Sequence, residues 1–245
     1  MKHVLCSCLL FCSLAAAQEP PILIRMIREP LRGPAGDLAR TYVSANLGTP
    51  VFGASTTTGT PEAVFFENHE SYASIEAIDQ FVNITALSDR ALSTLLLHIP
   101  GLSYRPDLAA KLLPRARYFQ ISTYRIRPGT GPEFGDLIRL RRAAYDAINL
   151  DRPEMAYQVI SGVAAGSYVM IAPLTSLKTL DNGSIRNPAY ATAIGDLGSG
   201  SRKIASEIEL SREHQLLRLE PDLSYVSEEF AELGPDFWRP KFKAR

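Results

Sequence analysis

Cysteine is the first thing this chain runs short of. It has three, Cys6, Cys8 and Cys12, all close to the N-terminus. A body without cysteine has no disulfide, no thiol nucleophile and no thiolate metal ligand. Charge of one sign is missing too: 26 basic residues balance 26 acidic ones, with no long run of either. That excludes the concentrated basic face that nucleic acid requires. Beyond the N-terminus no apolar run reaches membrane-spanning length. No two histidines stand at metal-ligand spacing and no serine sits in a nucleophile elbow, so zinc and α/β-hydrolase chemistry lack support. Tryptophan occurs once, as Trp238 in PDFWRPKF, and reads as a clamp tying a Pro-rich tail to the body.

The N-terminus itself carries an export pattern. Lys2 and His3 precede an apolar stretch from Val4 to Leu14, and Ala15-Ala16-Ala17 supplies small residues before a cut at Gln18. Residues 1–17 are therefore expected to be a signal peptide, directing the protein to the periplasm or outside the cell. Its loss takes all three cysteines with it and leaves 25 basic against 26 acidic residues. The processed chain is expected to have no membrane span and no nucleic-acid partner.

What is present is a repeat. PGLSY (Pro100–Tyr104) follows LLLHI, and PDLSY (Pro221–Tyr225) follows LLRLE. Working outward, ILIRMIREP pairs with YFQISTYRI, VFGASTTT and AVFFEN pair with AYQVISG and SYVMIAP, and SIEAID pairs with SLKTLD. Each half then reads β-α-β-β-α-β, the ferredoxin-like order. The expected fold class is α+β, with two tandem ferredoxin-like domains at 21–113 and 116–226 and a C-terminal tail at 227–245. In the second half the long last helix is expected to reach SREHQ, placing His214 near its end. The run GDLGSGSR is expected to loosen or break that helix, since glycine weakens helix interiors. It lacks the lysine of a phosphate loop, so nucleotide binding is rejected.

Strand one shows two faces in each half. Ile24 and Met26, like Phe119 and Ile121, are apolar and suit packing on helices. The alternate face carries Arg25 and Glu29 in one half and Tyr118, Gln120, Ser122 and Tyr124 in the other. This mixed face is expected to line a ligand-sized space between the two sheets.

The segments YFQISTYRIRPG, EFGDLIRLRRAAY, YQVISG, SYVMIAP and SLKTLD resemble the dimeric α/β-barrel superfamily. The resemblance is to its NIPSNAP-like and antibiotic-biosynthesis-monooxygenase-like branches in particular, and the tail SYVSEEFAELGPDFWRPK is similar to that of tandem-domain exported bacterial members. The resemblance implies that the two halves close one barrel-like body, as a monomer with an internal pseudo-dimer or as a homodimer. It also implies a choice of activities, from plain ligand binders to cofactor-free monooxygenases and haem-degrading enzymes, and fold alone does not choose.

The residues leave three readings. In the first, an exported protein binds a small organic ligand between its sheets through Arg25, Glu29, Tyr118, Gln120, Ser122 and Tyr124, without cofactor or metal. In the second, a cofactor-independent monooxygenase or haem-processing enzyme uses His98 as base or axial ligand. The bland alternative for His98 is a hydrogen-bonded strand end. In the third, the interior is packed solid and the protein is an interaction module. His69, in the polar ENHES, is expected to be solvated.

Overall fold

The computed structural model describes residues 19–31, 50–79, 88–182 and 188–239. The expected signal (1–17) and the expected first helix, within 32–49, lie outside them. Eight strands run β1 (Leu23–Pro30), β2 (Val51–Thr56), β3 (Glu62–His69), β4 (Leu92–His98), β5 (Tyr118–Ile126), β6 (Met155–Ser161), β7 (Ser167–Leu174) and β8 (Glu209–Leu219). They close into one barrel in the order β1-β3-β2-β8-β5-β7-β6-β4. The first half contributes β4-β1-β3-β2 and the second β8-β5-β7-β6, the same order twice. Helices α1 (Tyr72–Asp79), α2 (Pro106–Leu112), α3 (Gly131–Ala147), α4 (Lys178–Asn182), α5 (Pro188–Ile208), α6 (Glu228–Glu232) and α7 (Pro235–Trp238) complete the described chain.

The halves join because each fourth strand pairs with the other half's second strand, β4 with β6 and β8 with β2. The repeated pentapeptides lock these seams. Ser103 Oγ accepts from the Ala156 amide and Ser224 Oγ from the Gly53 amide, both at 2.9 Å. Tyr104 exchanges backbone bonds with Glu154, and Tyr225 does so with Val51. At Gly53 the approach is so close that a Cβ would lie 2.0 Å from the Leu223 carbonyl oxygen.

The expected use of the two strand-one faces is reversed. Ile24 and Met26 share one core with Phe119 and Ile121, together with Phe66, Leu96, Val169 and Leu217. Phe66 and Phe119, from opposite halves, meet edge to face at 5.4 Å. That face therefore points into the barrel. The void left there, between Phe52, Phe66, Phe119 and Met155, is about 20 Å³, room for a water and no more. The interior of an eight-stranded barrel is narrow enough for side chains to fill, and here the apolar face fills it. The mixed face turns outward: Tyr124 packs with Phe134, Leu137 and Ile138 of α3 and Ile208 of α5.

Two further expectations change. His214 stands in β8, opposite Ser122 of β5, because α5 ends at Ile208 and passes directly into the strand. The glycine run does not break α5, which stays helical from Pro188 to Ile208. At the barrel's end Trp238 Nε1 donates to the Pro114 carbonyl at 2.6 Å, with Phe52, Phe230 and Phe237 around its ring. The tail is clamped there.

A solid interior predicts a large penalty for hollowing it. Phe66→Ala is expected to lower unfolding free energy by about 3–5 kcal/mol, read from urea denaturation. A loss below about 1 kcal/mol would mean that the interior collapses or holds solvent.

Candidate functional site

The outer face of the second half is only partly covered. Between the sheet and helices α3 and α5 lies a polar cavity of about 240 Å³. Its floor is β5, where alternation sends Gln120, Ser122 and Tyr124 the same way. β8 adds Arg212 and His214, α3 adds Arg141 and Tyr145, and α5 adds Tyr190. Arg152 and Glu154 come from the chain entering β6. The Tyr104 pairing fixes this last stretch, with backbone bonds of 2.8 Å in both directions, so the seam itself aims Glu154.

Contacts within the cavity are specific. The Arg141 guanidinium donates through Nη1 to the Tyr124 hydroxyl and lies over that ring. Arg152 Nη1 donates to Gln120 Oε1 at 3.2 Å and lies 5.7 Å from the centre of the Tyr145 ring. Ser122 Oγ and His214 Nδ1 are 2.8 Å apart. Tyr190 stacks on Tyr145, with 24° between the rings. Burial pushes the Glu154 carboxyl up, against the pull of Arg152 and Arg141. Burial lowers His214, and Arg212, Arg141 and Arg152 lower it further. Burial also raises the Tyr124 and Tyr145 phenols. The cavity thus joins three guanidiniums, one carboxyl inclined to hold its proton, and an imidazole inclined to lose it. This arrangement can bind an anion and exchange a proton with it.

Of the residues singled out from sequence, Gln120, Ser122 and Tyr124 meet in this cavity, on the helix side and not between the sheets. Tyr118 shares their face but sits half-buried at the start of β5, outside the lining. Arg25 and Glu29 lie in the other half. Arg25 Nε donates to Glu67 Oε2 at 2.5 Å across β1 and β3, and Glu29 accepts from the Ser88 amide at 3.0 Å. Both are buried, as is His69, which lies 3.5 Å from Glu67 and is not solvated. His98 ends β4, its Nε2 3.1 Å from Ser103 Oγ and its ring beside Tyr157. It borders none of the described cavities.

Arg141, Tyr145, Arg152, Glu154, Tyr190, Arg212 and His214 were missed. The repeat held a signal for one of them. Matching the two seams puts Glu154 opposite Val51, an acid where the other copy has an aliphatic residue.

No protein-family model and no curated protein sequence matches the chain. Solved structures do resemble it. A candidate monooxygenase from Lactobacillus acidophilus aligns over 85% of this chain and 100% of its own, with TM-score 0.52 and 10% identity. An anthrone oxidase-like protein aligns over 83% and 93%, with TM-score 0.51 and 8% identity. A chlorite dismutase variant from Candidatus Nitrospira defluvii aligns over 89% and 98%, with TM-score 0.50 and 8% identity. At these identities the likeness is one of fold alone: an α+β fold around a closed eight-stranded antiparallel barrel.

The Glu154 shift has a testable sign. The folded protein keeps a proton that the unfolded chain sheds near the ordinary value of 4.5, so stability falls as pH rises through that window. Glu154→Gln removes the penalty. Its melting temperature by calorimetry is expected to exceed wild type at neutral pH and to match it below pH 4.5. A lower melting temperature at neutral pH would mean that ion pairing with the arginines outweighs burial.

Proposed function

We propose that this is an exported protein that binds a small organic ligand in the cavity between its second sheet and helices α3 and α5. The single observation behind this is a contrast: about 240 Å³ of polar space on the helix side against about 20 Å³ inside the barrel. Gln120, Ser122 and Tyr124 would orient the ligand. In this reading the chain is a duplicated pair of ferredoxin-like domains, related to the tandem NIPSNAP-like branch and exported by residues 1–17. The identical strand order of the halves and the reciprocal seams support the duplication. A barrel closed within one chain supports an internal pseudo-dimer, in a monomer or in a homodimer.

Catalysis is the second reading, and Glu154 is what favours it. A carboxyl shifted upward beside a cavity is a group suited to proton transfer. Cofactor-independent oxygenation of a bound quinol-like compound would use Glu154, not His98. Haem does not fit His98, whose Nε2 is bonded to Ser103 and which faces no described cavity. The helix-side cavity is likewise below the size of pockets for drug-sized ligands.

A thermal-shift screen of small organic acids, amides and alcohols tests the location. Compounds that stabilise wild type are expected to lose their effect in Gln120→Trp, which fills the cavity, and to keep it in the interior variant Met26→Leu. The reverse pattern would return the ligand to the barrel and end this reading. For catalysis, an oxygen electrode with quinol substrates should record uptake that Glu154→Gln abolishes. No uptake by wild type would remove the second reading.

A further inference from the structure

We propose that the cavity selects a small aromatic carboxylate, its carboxylate held by the Arg141 and Arg152 guanidiniums and its ring set against Tyr145 and Tyr190. This rests on the ligand-binding reading above and adds the ligand's chemistry.

Charge is the first argument. Guanidiniums stay protonated at all working pH, and taking them out of water is costly unless an anion compensates. Among the described residues neither Arg141 nor Arg152 has a carboxylate within ion-pair distance. The acceptors they do have, the Tyr124 hydroxyl and the Gln120 amide oxygen, are neutral. Glu154 is the one acid of the lining, against Arg141 and Arg152; the third guanidinium, Arg212, has Glu209 at 3.7 Å. The cavity is therefore short of negative charge even with Glu154 ionised. A carboxylate supplies it in the planar, two-oxygen form that arginine forks match.

The aromatic wall is the second. Tyr145 is 5% exposed, and Tyr190 lies nearly parallel to it, with centroids 6.4 Å apart. Arg152 reaches the Tyr145 ring, so the carboxylate end and the ring end of a ligand would be adjacent. Size agrees: 240 Å³ is below the range for drug-sized molecules and suits one or two fused rings.

The third argument is the route in. A gap of about 100 Å³ between α3 and α5 is lined by Leu137, Leu140, Arg141, Arg202 and Arg212, among others. It adjoins an open depression at the end of α5 that again includes Arg202 and Arg212. Arg212 borders all three spaces. Glu209 also lines the depression and lies 3.7 Å from Arg212, so Arg202 and Arg141 carry the excess positive charge along this line; such charge draws anions inward, and salt weakens the attraction.

Protonation tightens the same binding. The titratable or charged groups facing the site are Tyr124 from β5, Arg141 and Tyr145 from α3, Arg152 and Glu154 before β6, Tyr190 from α5, and Arg212 and His214 from β8. Glu154 repels a carboxylate once it ionises, and His214 attracts one only while protonated. Both terms weaken binding as pH rises.

Isothermal titration with four probes decides the matter: 2-naphthoate, 2-naphthamide, cyclohexanecarboxylate and inorganic phosphate. The expected result is that naphthoate binds at least ten-fold more tightly than each of the others, and more weakly at higher pH and salt. Arg152→Gln should weaken naphthoate ten-fold or more and leave naphthamide unchanged. Arg152→Lys should recover part of the loss, since it restores charge without the fork. Circular dichroism confirms that each variant is folded. Naphthamide binding as tightly as naphthoate, phosphate or the alicyclic acid binding more tightly, or no probe binding at all would overturn the aromatic-acid assignment. If the preferred probe is then still lost in Gln120→Trp, the ligand-binding reading survives. Naphthoate binding untouched by Gln120→Trp would overturn both.

Discussion

The molecule depends on two reciprocal seams. An open sheet leaves a row of unpaired amides and carbonyls at each edge, a standing invitation to aggregation. Here each half closes the other, β4 onto β6 and β8 onto β2. The register is fixed just past the strands, where Ser103 and Ser224 take an amide from the opposite half and the following tyrosines add a bridge. Gly53 is part of the same constraint, because no side chain fits under Leu223 at that point. The recurrence of Leu-Ser-Tyr is thus a recurrence of joints. The same three residues do the same work twice, each time for the other half.

Closure dictates what the two faces of each strand can do. The interior of an eight-stranded barrel is narrow enough for side chains to fill, and here Phe66, Phe119, Leu96 and their neighbours fill it. Polar side chains on the alternate positions are then sent outward, beneath the helices. Helices cover that face in stripes, since a helix offers a row of side chains and not a sheet of them. Where α3 and α5 leave a gap over β5, the polar row of Gln120, Ser122 and Tyr124 becomes a floor. The joint at Tyr104 places Glu154 on the rim of that gap.

Much of this was legible in the sequence. The pentapeptides and the paired strand runs anticipated the repeated strand order of the closed barrel, and the alternation along YFQISTY separated the two faces correctly. What alternation cannot supply is the sign of a face. Ile24 and Met26 would be equally content against a helix or against Phe119, and only closure of the barrel decides between them. Glu209 to His214 failed for a related reason: ELSREH carries charges at spacings that suit a helix surface, and the pairing with β5 overrode them. His69 sits among polar letters yet is 3% exposed, because its strand continues to it and aims it at Glu67. The arginines of the cavity come from three separate segments, and no linear motif links residues that only the fold brings together.

The two halves, alike in topology, put their outer faces to opposite uses. In the first, Arg25 stands directly across from Glu67, and a cation meets its anion at 2.5 Å on adjacent strands. A buried pair of that kind satisfies itself and leaves little field for anything else. In the second half the matching positions are Gln120 and Ala172. A methyl group stands where the first half has its acid, and the arginines that approach from α3 and from the chain before β6 donate to the neutral Tyr124 hydroxyl and Gln120 amide oxygen. The two halves thus differ at this pair: Arg25 faces Glu67 in the first, and Gln120 faces Ala172 in the second, where the charge comes from arginines outside the sheet pair. The acid that does appear there, Glu154, entered at the joint, where it lies near the arginines without forming an ion pair with them. The seam at Tyr104 thus holds Glu154 beside Arg141 and Arg152, whose hydrogen-bond acceptors are the neutral Tyr124 hydroxyl and Gln120 amide oxygen.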